Sequence, residues 1–406
     1  MSARKASPAE QARPMGLYVH IPFCRSRCHY CDFVSTAGLS RAWQIRYRDA
    51  LRKELAFYMK GGDAWAGATA ATDENAAVFD TLYFGGGTPT YLDADLLEEI
   101  AADFAAVLRG GVRGDAAEFT VEANPGTLTA QKLAALRRAG CNRLSVGAQS
   151  FDDSYLVWLG RSHNAAAFRQ AWEWAREAGF TNMNLDLLYG LPDQSMAQWE
   201  RTLREALAYQ PEHISLYQLN IEPGTRLAQL AGAGQNCAAD EECCRGQYLL
   251  AHRMLTGAGY SHYEISNYAK PGRESRHNTQ CWRNGYYLGL GAGAAGYLPE
   301  PRLRYVNTGD LERYLADTER GRKPVADEET IDTRLAMAEE MMLAFRLREG
   351  VDAGGFQARW GVEPAEHYGA ALEKHLATGL LEKTRQSLRP TLEGWLTYNV
   401  WVPEYL

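Results

Sequence analysis

The stretch that decides the fold runs from Tyr18 to Cys31 and reads YVHIPFCRSRCHYC. A short apolar segment, typical of a buried β-strand, is followed at once by three cysteines with the spacing C-x3-C-x2-C. Thiolates this close together in a loop can converge on one metal centre, and cysteine is the usual protein ligand of iron–sulfur clusters. Three ligands leave one iron of a four-iron cluster open for chemistry. The spacing therefore predicts a [4Fe–4S] cluster held by Cys24, Cys28 and Cys31.

Other uses of the three cysteines remain open at this stage. A structural zinc site needs a fourth ligand, for which His20 or His29 is available. Inert packing of all three thiols is a further alternative. Disulfides are not expected, because nothing marks the chain as secreted and cytosolic thiols stay reduced.

The composition is that of a soluble globular protein, with 406 residues of which 46% are hydrophobic and 23% charged. The sequence has no apolar run of the roughly 18 residues needed to cross a membrane. Residues 1–14 are polar and lack the apolar core of a secretion signal. We therefore expect a disordered tail on a cytoplasmic protein without stable membrane insertion. The net charge of −7 argues against a nucleic-acid partner, which usually meets a basic face.

Strand and helix signals alternate from the N-terminal region to about Asn220. Short apolar runs predict strands, and the amphipathic segments between them predict helices. The predicted strands are Leu17–Ile21, Thr81–Phe84, Glu118–Glu122, Arg143–Gly147, Asn184–Leu188 and His213–Leu219. This alternation predicts an α/β fold with a parallel sheet, in the form of a partial (β/α)6 barrel rather than a closed eight-stranded one.

The C-terminal region has a different pattern. Helices near Thr330–Leu347 and Pro364–Thr378, followed by a hairpin around Gly379–Leu388, predict a small winged-helix-like α+β module. DNA binding by this module is not expected, because Val325–Leu406 holds 14 acidic and only 8 basic residues. We thus expect three parts: the tail at 1–14, the barrel with a C-terminal extension at 15–300, and a helical domain at 301–406.

Several unusual residues fall at the C-terminal ends of the predicted strands, where barrel sites lie. The second strand ends in Gly85, Gly86, Gly87 and Thr88. Glycines let backbone amides approach a ligand closely. A tight turn is the plainer explanation of these glycines. Polar side chains in apolar strands are costly unless paired or bound to a ligand. Four more polar residues fall at successive strand ends and favour one shared site: Glu122, Gln149, Arg161 and Asp186. A structural salt bridge between Arg161 and an acid is the alternative.

Seven segments resemble, in order, the coproporphyrinogen-oxidase-like branch of the radical S-adenosylmethionine (SAM) superfamily: YVHIPFC, YFGGGTPTYL, VEANPGTL, RLSVGAQSF, LGRSH, NLDLLYGLP and HISLYQLNIEPGT. The resemblance covers nearly the whole chain from Gly16. It implies that SAM chelates the open iron of the cluster. It also implies a set of cofactor-binding residues: Tyr18, Tyr30, Gly85, Gly86, Gly87, Thr88, Glu122, Gln149, Arg161 and Asp186.

Two kinds of protein in this branch, the oxygen-independent coproporphyrinogen III oxidase and the HemW-type heme chaperone, differ after the third cysteine. The oxidase has a fourth cysteine two residues further on, whereas this chain has Asp32 and Phe33 after Cys31. The segments YEISNYA and HNTQCW, which begin at Tyr263 and His277, also resemble the chaperones. The resemblance therefore favours a heme chaperone. A radical SAM enzyme, either a coproporphyrinogen III oxidase (dehydrogenase) or a methyltransferase, stays open as the alternative.

The chaperone branch implies heme as a ligand and a heme-accepting client, for which a respiratory enzyme is the expectation. His277 is the candidate axial ligand, because imidazole is a common ligand of heme iron. An ordinary hydrogen-bonding histidine is the alternative. Two positions depart from the pattern of the branch: Cys281 replaces the usual tyrosine, and Ser275 stands where many relatives have cysteine.

Overall fold

Six parallel strands form the centre of the structure, a computed structural model that describes residues 15–60, 79–108, 117–299 and 302–406. Their bounds are β1 Met15–Ile21, β2 Thr81–Gly86, β3 Glu118–Ala123, β4 Arg143–Gln149, β5 Met183–Tyr189 and β6 His213–Gln218. Each strand pairs with the next in chain order. The α/β fold and the six strands predicted from sequence are confirmed, whereas the predicted tail at 1–14 lies outside the described residues.

Helices cover the outer face of these strands. Three of these helices begin after residues whose side chains satisfy free backbone amides: Thr129, Asn164 and Ser195 each accept a hydrogen bond from the N–H three residues later. The helix bounds are α1 Arg41–Lys60, α2 Ala94–Ala105, α3 Ala130–Arg138, α4 Asp153–Trp158, α5 Ala165–Glu177 and α6 Met196–Ala208.

The two faces of the barrel strands differ in polarity. Outward side chains such as Val19, Phe84 and Val121 are fully buried beneath the helices. The inward side chains of β2 to β6 are largely polar, among them Thr81, Tyr83, Glu118, Thr120, Glu122, Arg143, Ser145, Asn184, Asp186, His213 and Ser215. Barrel interiors are usually filled with branched apolar residues. A polar interior here leaves space and hydrogen-bonding groups for a ligand.

Six more strands extend the sheet on both sides. β9 pairs in parallel with β1, and β8 pairs antiparallel with β6, so the described strands lie in the order β12-β11-β10-β9-β1-β2-β3-β4-β5-β6-β8-β7. The added strands are β7 Ser261–Glu264, β8 Asn267–Ala269, β9 Tyr286–Leu290, β10 Ala295–Leu298, β11 Leu303–Asn307 and β12 Val325–Thr330. The helices among them are α7 Arg226–Gly232, α8 Glu241–Gly257, α9 Arg276–Trp282 and α10 Leu311–Glu319.

The sequence did not reveal β9 as a neighbour of β1. The glycine within this strand weakens its signal, yet Gly289 is required there: a Cβ on this residue would lie 1.7 Å from the carbonyl oxygen of Ala295. The close approach of two backbones therefore explains a glycine that weakens the local strand signal.

The C-terminal part combines helices with a small antiparallel sheet. The helices are α11 Thr333–Ala344, α12 Ala353–Trp360, α13 Pro364–Ala377, α14 Leu392–Leu396 and α15 Tyr398–Trp401. The strands are β13 Val351–Asp352, β14 Leu381–Lys383 and β15 Ser387–Pro390, in the order β13-β15-β14. A separate hydrophobic cluster around Phe345, Trp395 and Tyr405 holds this part together. β11 and β12 lie after residue 300 but pair in the large sheet. The predicted domain boundary at residue 300 stays a prediction, as does the winged-helix description.

Within the described ranges, we find no helix that is both long enough and apolar enough to span a lipid bilayer.

Candidate functional site

One cavity of about 380 Å³ runs from the cysteine loop into the interior of the barrel. Its wall contains most of the residues that the sequence assigned to cofactors. They are Cys24, Cys28, Tyr30, Cys31, Gly86, Gly87, Thr88, Glu122, Gln149, Arg161 and Asp186. Residues scattered over 160 positions of the chain therefore share one site, as the barrel topology predicts for the C-terminal ends of parallel strands.

The cysteine loop is held against the end of β2. Phe23–Cys24 forms a short parallel pair with Thr36–Ala37, which fixes the start of the loop. The Sγ of Cys24 lies 3.6 Å from the Oγ1 of Thr88, and a Cβ on Gly87 would lie 2.9 Å from the same sulfur. The glycine is thus needed because the first cysteine packs directly on the backbone of the second strand end.

The choice between an iron–sulfur cluster and a zinc ion depends on the donors around the three thiols. Searching the described ranges, we find no group of three or more His, Cys, Asp or Glu side chains that is arranged to hold a metal ion. The two histidines considered as a fourth zinc ligand bond elsewhere: His20 Nε2 lies 2.8 Å from the oxygen of Val34, and His29 Nδ1 lies 2.7 Å from that of Trp158. Thiolates are the usual donors of iron–sulfur clusters, and the cluster on Cys24, Cys28 and Cys31 stays a prediction.

Burial affects the protonation of the free thiols. It raises the pKa of Cys24 and raises that of Cys31 to about 11. Both thiols are therefore protonated at neutral pH in the metal-free protein. Because iron–sulfur ligation uses thiolates, cluster assembly would release these protons.

Arg161 lies beside the cysteine loop. Its Nη2 donates to the carbonyl oxygen of Gly147 at 2.9 Å, and its Nη1 lies 3.5 Å from Cys28 Sγ and 3.4 Å from the Tyr30 hydroxyl. No carboxylate of the described residues lies within 4 Å of this guanidinium, so the structural salt bridge considered from sequence does not explain it. The arrangement places a fixed positive charge next to the second cysteine.

Two carboxyl groups face the cavity from neighbouring levels of the barrel. Glu122 accepts hydrogen bonds from the hydroxyl of Tyr83 at 2.8 Å and from the N–H of Gly86 at 3.2 Å. Asp186 accepts from Ser145 at 3.1 Å and from Asn184 at 2.7 Å. Burial raises the pKa of both groups, to about 7 for Glu122. Such carboxyls are suited to bind the hydroxyl or ammonium groups of a ligand, since a cation would favour their ionised form.

Gln149 enters the cavity through an irregularity of β4. The pairing of β4 with β5 shifts register between Gly147 and Gln149, and Gln149 has a φ of 66°. A non-glycine residue in the left-handed region is uncommon and occurs often at ligand sites. The bulge redirects this side chain toward Arg161 and the cysteine loop.

Three predicted site residues lie outside the cavity wall. Tyr18 bonds His20 Nδ1 at 3.0 Å, and Gly85 packs so closely that a Cβ would lie 3.0 Å from the Tyr18 ring and 3.2 Å from Glu122. Both pack against residues of the wall, since the Tyr18 ring stacks on that of Tyr83 and Gly85 lies against Glu122. His277, only 5% exposed, is enclosed near the opposite end of the strands, where its Nδ1 lies 2.9 Å from the Oγ1 of Thr81. Their roles toward cofactors stay predictions.

Several polar residues of the wall were missed in the sequence: Tyr83, Arg143, Ser145, Asn184, His213, Ser215 and Tyr217. A signal for them exists. Within β4 and β6 the polar residues alternate with apolar ones, as in Arg143, Ser145 and Gly147, and alternation by two marks one face of a strand. The alternation was masked because both faces of these strands are buried.

Comparison with known proteins identifies the family of the chain. The model of the Radical SAM superfamily matches residues 18–206, and that of the HemN C-terminal domain matches residues 331–397. Heme chaperone HemW of Bacillus subtilis (strain 168) is 35% identical over 382 residues, which cover 94% of this chain and 96% of that protein. The Escherichia coli (strain K12) protein of the same name is 37% identical over 298 residues, 73% of each chain.

A solved structure shows the same fold. Coproporphyrinogen III oxidase (HemN) from Escherichia coli, described as a radical SAM enzyme, superposes with a TM-score of 0.78 and covers 98% of this chain and 92% of that one, at 22% identity. Fold, family model and cysteine motif together define a radical SAM protein. Its relation to the bacterial heme chaperones extends over nearly the full length of both chains. The chain belongs to the HemW family.

Proposed function

We propose that this protein binds heme and transfers it to an acceptor protein, while carrying a [4Fe–4S] cluster on Cys24, Cys28 and Cys31 and exchangeable SAM in the barrel cavity. The observation that carries the proposal is the convergence of three unpaired cysteines on one cavity, in a chain 35% identical to a heme chaperone over 94% of its length. When bound, the cluster would supply an open iron as a ligand site for SAM.

The residues of the cavity fit these groups in kind. The glycines at the end of β2 would let the methionine end of SAM approach the backbone there without a Cβ in the way. Glu122 and Asp186 offer carboxylates for its amino or hydroxyl groups, and Arg161 offers a guanidinium that matches a carboxylate. These residues would bind and orient the nucleoside and keep water away from it.

The rim of the cavity carries side chains of the kind that a heme could contact. Phe33, which follows the cysteines where the oxidase has its fourth cysteine, is 60% exposed and borders the cavity. Arg25 and Arg27 are exposed on the same rim. A flat apolar ring with two carboxylates would find an aromatic surface and two cations here. A coproporphyrinogen III oxidase and a methyltransferase remain the alternative functions.

The proposed acceptor is a heme-requiring client, with a respiratory enzyme as the expected class. The same proposal includes a cytoplasmic location and no nucleic-acid partner. The net charge of −7 supports the second point, because phosphate contacts require cations.

The test compares heme binding with substrate turnover. We expect anaerobically reconstituted protein to develop a Soret band when titrated with heme. Given coproporphyrinogen III, SAM and dithionite, it should form no protoporphyrinogen. Heme transfer from the loaded protein should be faster to a heme-depleted respiratory enzyme than to apomyoglobin, which serves as a non-specific acceptor. Protoporphyrinogen formation would overturn the proposal in favour of the oxidase.

His277→Ala tests the proposed axial ligand. Because the imidazole is enclosed against Thr81 and Gly16, heme iron can reach it only if α9 separates from the barrel strands. We expect the Soret band to be weaker in the variant. In the wild type, we expect heme binding to accelerate amide hydrogen exchange in α9. His252→Ala is a matched control outside the cavity. An unchanged band in His277→Ala would remove this residue from the heme site.

Glu122 should make SAM binding depend on pH. Burial raises its pKa to about 7, so the carboxylate that would bind cationic SAM forms only as the pH rises through neutrality. We expect SAM affinity to increase between pH 6 and pH 8 by up to about tenfold, and Glu122→Gln to abolish this increase. Calorimetric titration of the reconstituted protein measures it. An equal increase in Glu122→Gln would contradict the assignment.

The same carboxyl affects stability with a definite sign. Its raised pKa means that the folded state retains a proton that the unfolded chain releases between pH 4.5 and 7, so stability falls as the pH rises through this window. The difference in melting temperature between Glu122→Gln and wild type should therefore be more in favour of the variant at pH 8 than at pH 5. Glu54, whose pKa burial also raises to about 7 and which lies outside the cavity, is the control: Glu54→Gln should share the stability trend and leave SAM binding unchanged.

A further inference from the structure

A chain of polar side chains leads from Asp186 in the cavity to the YEISNYA segment, which the proposed function leaves without a role. Asn184 and Asp186 share the inner face of β5, and His213 of the neighbouring strand β6 pairs with Asn184. Tyr263 begins the segment in β7 and borders a different cavity, beside α9. The chain therefore connects the wall of the ligand cavity with a residue that lies outside that wall.

The hydrogen bonds of Asn184 fix the direction in which its amide points. Its Nδ2 donates to the Oγ of Ser145 and to the Oδ1 of Asp186, both at 2.7 Å. Its Oδ1 lies 2.6 Å from the Nδ1 of His213 and accepts from the hydroxyl of Ser215 at 3.2 Å. Both N–H groups and both lone pairs of the amide are thus used. Because a carboxylate only accepts hydrogen bonds, the amide nitrogen faces Asp186 and the amide oxygen faces His213.

This orientation decides the tautomer of His213. Since Asn184 presents an oxygen, the Nδ1 of the ring carries the proton, and the Nε2 is an acceptor for the hydroxyl of Tyr263 at 2.7 Å. The side chain is only 1% exposed, and burial, with a smaller contribution from the charge of Arg143, lowers its pKa well below the usual value. The ring is therefore neutral, with one donor and one acceptor that match its two neighbours.

All donors of the chain then point toward the cavity. Tyr263 donates to His213, which donates to Asn184, and the amide of Asn184 donates to Asp186. Hydrogen bonds that run in one direction polarise one another and strengthen the last acceptor. Burial raises the pKa of Asp186, while the hydrogen bond from Asn184 and the charge of Arg143 oppose this rise. The chain thus favours the ionised carboxylate.

The hydroxyl of Tyr263 keeps the chain from reversing. With the proton on its Nε2, His213 would turn an acceptor toward the oxygen of Asn184, and the amide would then have to turn its oxygen toward Asp186. A buried acceptor that faces another acceptor is costly. The oxygen of Tyr263 is itself held, because it accepts the backbone N–H of Ser275 at 3.3 Å. Its hydrogen is thereby directed to the imidazole.

We propose that Tyr263 and His213 are positioning residues of the SAM site, which hold Asp186 as the hydrogen-bond acceptor for a hydroxyl or ammonium group of SAM. The assignment rests on the SAM part of the proposed function and deepens it. Each oxygen of Asp186 already accepts one hydrogen bond, from Asn184 or Ser145, and offers further lone pairs to the cavity. The ligand group that binds there is therefore a donor.

Calorimetric titration with SAM tests whether Tyr263 acts through Asp186. Reconstituted Tyr263→Phe, Asp186→Ala and the double variant form a thermodynamic cycle with the wild type. We expect Tyr263→Phe to lower SAM affinity about fivefold in the wild type and by less than about twofold in Asp186→Ala. Tyr260→Phe is the matched control, since it removes a buried hydroxyl that donates to the carbonyl oxygen of Pro211, away from the chain. It should leave SAM affinity unchanged.

The ring nitrogens of His213 give a second readout, which a purely structural role would not predict. Nitrogen NMR of the wild type at neutral pH should show a neutral ring with the proton on Nδ1, and the loss of this signal in His213→Asn assigns it. SAM affinity should fall less in His213→Asn, whose amide can still donate to Asn184, than in His213→Leu. An imidazolium, or a proton on Nε2, would overturn the proposal.

The outcomes separate this proposal from the heme function. An equal loss of SAM affinity on removal of the Tyr263 hydroxyl with and without Asp186 would overturn the positioning role, as would wild-type affinity in Tyr263→Phe. A wild type that binds heme but not SAM would overturn it as well and leave the heme function standing. A wild type that binds SAM but not heme would have the opposite meaning. Melting temperatures of all variants show that they are folded.

Discussion

Replacing any one of Cys24, Cys28 and Cys31 by alanine is expected to abolish the iron–sulfur cluster. A four-iron cluster with three protein ligands already has one open iron, so the loss of a further thiolate leaves two irons without protein ligands. Iron and sulfide content, together with the visible absorbance near 400 nm, should fall to background in each variant. SAM binding should be lost with the cluster, because the open iron is proposed as one of its ligand sites.

The control for this result is another cysteine of the same chain. Cys243 lies in α8, outside the cavity, with its Sγ 3.6 Å from the carbonyl oxygen of Gln194. Cys243→Ala should keep the cluster at the wild-type level. If one of the three loop variants retains a full complement of iron, that cysteine is not a ligand. Zinc in place of iron in anaerobically prepared wild type would contradict the cluster altogether.

Gly87→Ala is expected to have the second largest effect, because its neighbours cannot easily move. The added Cβ would lie 2.9 Å from Cys24 Sγ and 2.9 Å from the carbonyl oxygen of Phe23, closer than real Cβ contacts allow. The backbone of Phe23–Cys24 is fixed by its pairing with Thr36–Ala37. Overpacking of this kind costs about 1–3 kcal/mol. We therefore expect cluster occupancy and SAM affinity to fall by about tenfold.

A matched glycine shows whether the effect is local. Gly369 lies in α13, where a Cβ would meet no atom within 4 Å. Gly369→Ala should leave cluster content and SAM binding unchanged and raise the melting temperature slightly, since alanine is the better helix former. Normal iron content and SAM affinity in Gly87→Ala would show that the strand end does not contact the cofactors as proposed.

Much of the site could be predicted from sequence because its signals are local. The three cysteines lie within eight residues, and each strand end carries its own polar residue in an apolar run. Parallel topology then brings these ends together without further information. Tyr83 and His213 were missed because their strands are buried on both faces, which hides the alternation of polar and apolar residues.

The sequence by itself determined the six-stranded α/β core and the cysteine motif, since both depend on periodicity and spacing over a few residues. The tertiary structure decided how remote segments meet: β9 beside β1, His277 enclosed against Thr81, and Arg143 facing the cavity. The physical reason is that burial, hydrogen-bond partners and charge compensation are set by contacts between residues far apart in the chain. Short-range patterns carry no information on these contacts.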